Sequence, residues 1–295
     1  MNFLMKKKID MSVKNPKLIA EQIIKELNIR NPSELRVRNI AMTRGMFVKE
    51  QVIDGAEGRL LRKGNRGIIT INKNIPEEGR KRFAIAHEIG HFELHTKSQI
   101  VFCSDQDMLG WKNNNTQETE ANTFAANLLM PEALFVPFLK KNKTPDMKSV
   151  VSLSRKFKTT ITATALQYVR LSAEPCAVVI SQNGVIKWYQ KSSDFNFHVK
   201  VGEAVHSESY AFEFFNDGKL PDTTETVPAF AWIAGRLIED SDIKESSFPL
   251  PRYNTVLSLL WIYEDICYTY EKGDDECGQD LTNPITTDGK RWLWD

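Results

Sequence analysis

Arg82-Phe-Ala-Ile-Ala-His87-Glu88-Ile-Gly-His91-Phe-Glu-Leu-His95 gathers three of the chain's five histidines into nine residues. Apolar Phe83, Ile85, Ala86 and Ile89 lie between the polar positions and would bury the segment. Upstream, Pro76 with Glu77 and Glu78 is a first-turn signature: proline loses no helical bond there, and acids favour the positive end of the helix dipole. The spacing predicts a helix running to about His95. Ahead of it, Arg59-Leu-Leu-Arg62 and Ile68-Ile-Thr-Ile-Asn72 read as two strands joined by the glycine-containing turn Lys63-Gly-Asn-Arg-Gly67. Behind it, Gln117 to Met130 sets Ala121, Phe124, Ala125, Leu128 and Leu129 on one face, with Pro131 just beyond, and reads as a second helix. Residues 16–29 carry Leu18, Ile19, Ile23, Ile24 and Leu27 at helical spacing.

On a helix, His87 and His91 stand one turn apart, so their imidazoles share a face and can bind one Zn²⁺. Glu88 points beside such an ion, where it can take a proton from metal-bound water and pass it to a leaving amine. This is the H-E-x-x-H arrangement of zinc peptidases. Catalytic zinc needs a third protein ligand and one open position. His95 is a poor third ligand, because histidines at i, i+4 and i+8 span about 12 Å on a straight helix. It reads as a helix-end residue or as support for a ligand. In Glu118-Thr-Glu120-Ala-Asn122, the wheel puts Glu118 nearer the apolar face than Glu120. An acid inside that face needs a partner, and a metal is one. Asn122 could bond the free ring nitrogen of a ligand histidine. Glu120 is the alternative ligand, and otherwise a solvated first-turn acid.

Two hundred and ninety-five residues leave room for one large domain or two to three small ones, at roughly 150 residues per domain. With 41% apolar and 26% charged residues, the composition excludes a fibrous or wholly disordered chain. No apolar run reaches the roughly 18 residues that cross a bilayer, and the lysines Lys6 to Lys8 follow rather than precede a short apolar start. Cys103, Cys176, Cys267 and Cys277 lie far apart and read as reduced thiols. A cytoplasmic protein without membrane partner is expected.

Residues 1–170 carry 29 Lys+Arg against 17 Asp+Glu, and residues 171–295 carry 10 against 21. That asymmetry suggests separate modules. Residues 1–140 form the first, with the histidine motif. Residues 141–173 read as a helical, helix-turn-helix-like connector, Met147–Phe157 then Thr162–Leu171. From Cys176 the grain turns to β, with strands expected at 177–181, 184–189 and 195–201, so that 174–295 forms a second α+β domain. Its aromatic run, from Trp188 and Tyr189 through Phe195, Phe197, Tyr210, Phe212, Phe214 and Phe215, suits a β core better than a ligand cavity. The tail from Lys272 is acidic and is expected to be loose. Thr162–Leu171 offers one strong base, Arg170, which argues for a packed helical hairpin and against direct nucleic-acid binding.

The histidine motif, followed by Glu118-Thr-Glu-Ala-Asn-Thr-Phe-Ala-Ala-Asn-Leu-Leu-Met-Pro131, resembles the ImmA/IrrE family of zinc metallopeptidases over roughly residues 16–140. The resemblance implies an α+β fold with a zincin-like, gluzincin-type peptidase domain. It implies His87, His91 and Glu118 as metal ligands and Glu88 as the catalytic residue, with Zn²⁺ as the cofactor and Mn²⁺ as an alternative. It implies a protein substrate: a helix-turn-helix repressor or antitoxin-like regulator, cut to release a stress response or mobile-element genes. Some members add a C-terminal GAF-like domain, which residues 176–295 match in outline only. The strand near Gly67–Asn72 is expected to offer an edge to an extended substrate; no tyrosine precedes Tyr168, so a tyrosine oxyanion stabiliser would come from the C-terminal half, with His95 or an arginine as substitutes. The competing reading is a non-catalytic DNA-binding or ligand-sensing regulator whose zinc site is structural or silent.

Overall fold

The structure, a computed structural model, describes residues 15–95, 100–103, 116–141, 144–235 and 241–262. Most of the loop expected over 96–116, and the acidic tail from Lys272, lie outside the described residues. The fold is mixed α+β, and its contacts divide the chain into two compact units at Pro131/Glu132.

The first unit opens with helix α1 (Pro16–Glu26), started by the Asn15 side chain, which accepts from the Lys17 and Leu18 amides. Helix α2 (Val37–Thr43) follows, then strands β1 (Met46–Gln51), β2 (Gly58–Lys63) and β3 (Arg66–Asn72). Helix α3 (Glu78–Leu94), strand β4 (Ile100–Cys103) and helix α4 (Thr116–Leu129) complete it. The hairpin and both expected helices are thus present, with His95 closing α3.

The sheet order is β1-β3-β2-β4, with β1 parallel to β3 and the other pairs antiparallel. This corrects one expectation. β3 is paired on both sides, so Gly67–Asn72 offers no edge; among the described residues the edges are β1 and β4. The cause is β1, which pairs with β3 from Met46↔Gly67 to Gln51↔Asn72. Its sequence hides the alternation because Phe47 faces outward at 63% exposure while Met46 is buried.

α3 is the central element: every residue from Ala84 to Phe92 is buried. A helix so enclosed needs close neighbours, and Gly90 permits one. A Cβ there would lie 3.2 Å from the Ala121 backbone and 3.0 Å from Phe124 Cδ1. The glycine of the histidine motif therefore lets α4 approach α3 along the alanine face of the second motif.

The second unit begins with helices α5 (Glu132–Leu139), α6 (Met147–Phe157) and α7 (Ile161–Leu171). Asp146 caps α6 by accepting from the Ser149 amide, and Thr160 caps α7 by accepting from that of Ala163. α7 buries six consecutive residues from Thr164 to Val169, and the half-buried Arg170 donates to Gln167 of the same helix. An antiparallel sheet ordered β6-β5-β9-β8-β7 follows, built from β5 (Cys176–Gln182), β6 (Val185–Lys191), β7 (Glu225–Pro228), β8 (Asp242–Leu250) and β9 (Thr255–Trp261), with helix α8 (Tyr210–Asp217).

Residues 195–201 are not a strand. Phe195, Phe197 and Val199 alternate into the core as a strand's residues would, but the backbone makes a single bridge, Val199↔Ile233. Alternating burial there comes without a ladder. The core holds Trp232 at 0% exposure, and Glu245 is buried beside it. That carboxylate accepts from the Tyr210 and Ala211 amides, Trp232 Nε1 and Ser247 Oγ. Burial pushes its pKa above the usual carboxylate range against these four donors. Cys176 is a free, buried thiol, which burial pushes up to about 12, so it is unreactive. Among the described residues no helix is long and apolar enough to cross a membrane.

Candidate metal centre

α3 and α4 bring together residues 31 positions apart in sequence. His87 Nε2 lies 3.0 Å from Glu118 Oε2, His91 Nε2 lies 3.3 Å from Glu118 Oε1, and the two Nε2 atoms are 2.9 Å apart. His87, His91 and Glu118 are all buried and could hold one metal ion. Their rings follow from the helix: one turn separates them, and the centroids lie 4.6 Å apart in an edge-on arrangement.

The cluster favours an ionised carboxylate at Glu118. Burial alone would push the Glu118 carboxyl up, but its contacts with the two imidazoles of His87 and His91 override it and hold the pKa at about 2. Asn122, one turn beyond Glu118, accepts from His87 Nδ1 at 2.8 Å. That leaves His87 Nε2 as the atom that receives a proton or a metal. Two imidazole nitrogens and a carboxylate converging from two rigid helices form a donor set suited to zinc, which takes N and O ligands at about 2.0–2.2 Å. The residues present fit the ion.

Glu88, next to His87 on α3, packs against β2. It is fully buried, and its carboxylate lies on the sheet side of α3 against Gly58: a Cβ on Gly58 would stand 2.6 Å from Glu88 Oε1. Gly58 was not singled out by the sequence, because a glycine opening a strand gives no sign of what packs on it. Its φ is ordinary, so the space it leaves, not its backbone freedom, is what the site uses.

His95 and Glu120 are joined to the cluster. His95 Nδ1 lies 3.0 Å from His91 Nδ1, and His95 Nε2 lies 2.9 Å from Glu120 Oε2. Both ring nitrogens of His95 are thereby occupied, so it is no oxyanion stabiliser in this arrangement. Burial lowers its pKa against the opposing hydrogen bond to Glu120. Glu120 is not simply solvated, although 31% of its side chain is exposed. The i, i+4 spacing of His91 and His95 was the available signal; Glu120's part in it depends on how two helices pack.

A sequence model of the IrrE N-terminal-like domain, a peptidase family, matches residues 41–167, from within α2 into α7 and across both motifs. The uncharacterized immunity region protein 2 of Bacillus phage phi105 is 34% identical over 64 residues, which are 22% of this chain and 38% of that protein. The match thus spans well under half of that relative's length. Among solved structures, a Mycobacterium tuberculosis transcriptional regulator superposes with a TM-score of 0.54 at 15% identity, over 84% of this chain and 76% of the other. At that identity the likeness is one of fold. The domain match, the phage relative and the paired motifs agree in one respect: residues 41–167 of this chain are similar to the IrrE N-terminal-like domain, a peptidase domain.

Proposed function

We propose that this protein is a zinc-dependent endopeptidase that cuts a DNA-binding regulatory protein, with Glu88 as general base and His87, His91 and Glu118 as the residues that hold the ion. Mn²⁺ is the alternative metal. The observation that carries the reading is the convergence of His87, His91 and Glu118 within 2.9–3.3 Å on two buried helices. Zinc, when bound, supplies Lewis acidity, polarising a carbonyl and making water acidic enough to ionise near neutral pH. Glu88 takes the proton of the attacking water and returns it to the amide nitrogen that leaves. Asn122 holds His87 by its Nδ1 hydrogen, so the ring does not turn as charge develops. The buried setting keeps bulk water from competing for these hydrogen bonds.

The substrate class is the one that the resemblance implies, and the phage relative's name, an immunity region protein, is in keeping with it; a helix-turn-helix repressor or antitoxin-like protein is the partner proposed here, met in the cytoplasm. Residues 1–140 would act as the peptidase domain and 141–173 as a connector. Residues 174–295 would serve as a sensory or partner-binding domain. The test is incubation of the zinc-loaded protein with purified small helix-turn-helix regulators from the same genome. Discrete fragments are expected, lost on chelation and restored by zinc. Survival of every regulator intact after incubation with fully zinc-loaded protein overturns the reading.

Gly58 gives a second check. Gly58→Ala puts a methyl group where the Glu88 carboxylate lies, and a misplacement of about 1 Å can cost about 10²-fold in rate. The expected result is a fall of that order in kcat with zinc stoichiometry unchanged. A wild-type rate would mean that Glu88 is not held where the reaction needs it.

A further inference from the structure

We propose that Glu120 and His95 are positioning residues that fix the tautomer and ring orientation of His91, an inference that rests on the metal-binding reading above. An ionised carboxylate can only accept, so the 2.9 Å contact with Glu120 Oε2 makes His95 Nε2 the donor. An uncharged imidazole carries one N–H, which leaves His95 Nδ1 as an acceptor. His91 Nδ1, 3.0 Å away, then donates to it. The lone pair of His91 is confined in consequence to Nε2, the atom 2.9 Å from His87 Nε2 and 3.3 Å from Glu118 Oε1. The chain Glu120–His95–His91 has one direction, because only its carboxylate end lacks a hydrogen to give.

The two histidines of the cluster are thus supported by different means. His87 uses one step, to Asn122 Oδ1 at 2.8 Å. His91 uses two, through a ring whose side chain is 6% exposed to a carboxylate that is 31% exposed. Both devices leave Nε2 as the coordinating atom, and the second adds a negative charge behind the ring, which raises its basicity. His95 lies one turn from His91 on α3, and Glu120 two residues from Glu118 on α4. Each motif therefore supplies the metal-facing residue and the residue behind it.

The test is zinc affinity of the full-length protein, by competition with a chelator, for three variants. His95→Leu removes the acceptor and is expected to weaken zinc binding about 10–100-fold, the usual effect of losing such a partner. His95→Asn sets an amide oxygen near the former Nδ1 position, copying what Asn122 does for His87, and is expected to bind close to wild type. Glu120→Ala frees His95 to take its other tautomer and is expected to lose less than His95→Leu. Wild-type affinity in His95→Leu, or equal losses in His95→Leu and His95→Asn, overturns the inference while leaving the metal centre standing. Should His95→Leu not fold, unchanged affinity in Glu120→Ala overturns it alone. Wild-type protein that takes up no zinc overturns the metal-binding reading and this inference with it.

Discussion

Glu88→Gln takes up zinc as the wild type does and cleaves its substrate about 10²–10⁴-fold more slowly, the contribution of a positioned general base. The substitution keeps the side chain's size, so the amide fits the space that Gly58 leaves on β2. His87, His91, Glu118 and the groups behind them are untouched. What is lost is a carboxylate able to take a proton, and an interaction used only in the transition state shows as a fall in kcat with little change in KM. Single-turnover cleavage at matched zinc occupancy reads it directly. A variant as fast as the wild type would remove Glu88 from the mechanism and leave the metal assignment intact.

Glu118→Gln and His87→Ala should each reduce zinc affinity beyond the roughly 10–100-fold expected for a supporting partner. Glu118 contributes the only carboxylate of the trio, and its contacts with His87 and His91 keep it ionised, with a pKa of about 2. A neutral amide offers one oxygen and turns its NH₂ group toward His87 or His91. His87→Ala removes a ring nitrogen and leaves the buried Asn122 amide without its 2.8 Å partner. Chelator competition, with circular dichroism to confirm the fold, measures both. The ordering matters as much as the size: Glu118→Gln must lose more than Glu120→Gln. If Glu120→Gln strips the metal and Glu118→Gln keeps it, α4 presents the other acid and the assignment of the third ligand falls.

The helices of the first unit were legible because their signals are local: a proline and two acids at one end of α3, an alanine and leucine stripe on α4. The placing of Glu118 over Glu120 came from the same wheel, and His87, His91 and Glu118 do lie together. What was not legible depends on neighbours distant in sequence. β1 escaped notice because Phe47, its most apolar side chain, faces outward, and with β1 went the recognition that β3 is central. The opposite error arose at 195–201, where inward-facing Phe195 and Phe197 imitate strand alternation. Glu120 looked like surface because a wheel records one helix, whereas its partner His95 stands on another.

Gly90 sets the bite of the metal centre. The trio is split between two helices, so the distance from histidine nitrogens to Glu118 oxygens is fixed by how far apart α3 and α4 stand. At their contact a methyl on residue 90 would meet the Ala121 backbone at 3.2 Å. Ordinary carbon contacts begin near 3.5 Å, so the helices would part by about 0.3 Å, more than the roughly 0.2 Å within which metal–ligand distances hold. One of the two unspecified letters in H-E-x-x-H is therefore not free in this chain. A residue with no chemistry of its own acts as the spacer that sizes the centre, and its partner in that task is the alanine of E-x-E-A-N, three positions after the carboxylate it brings within reach.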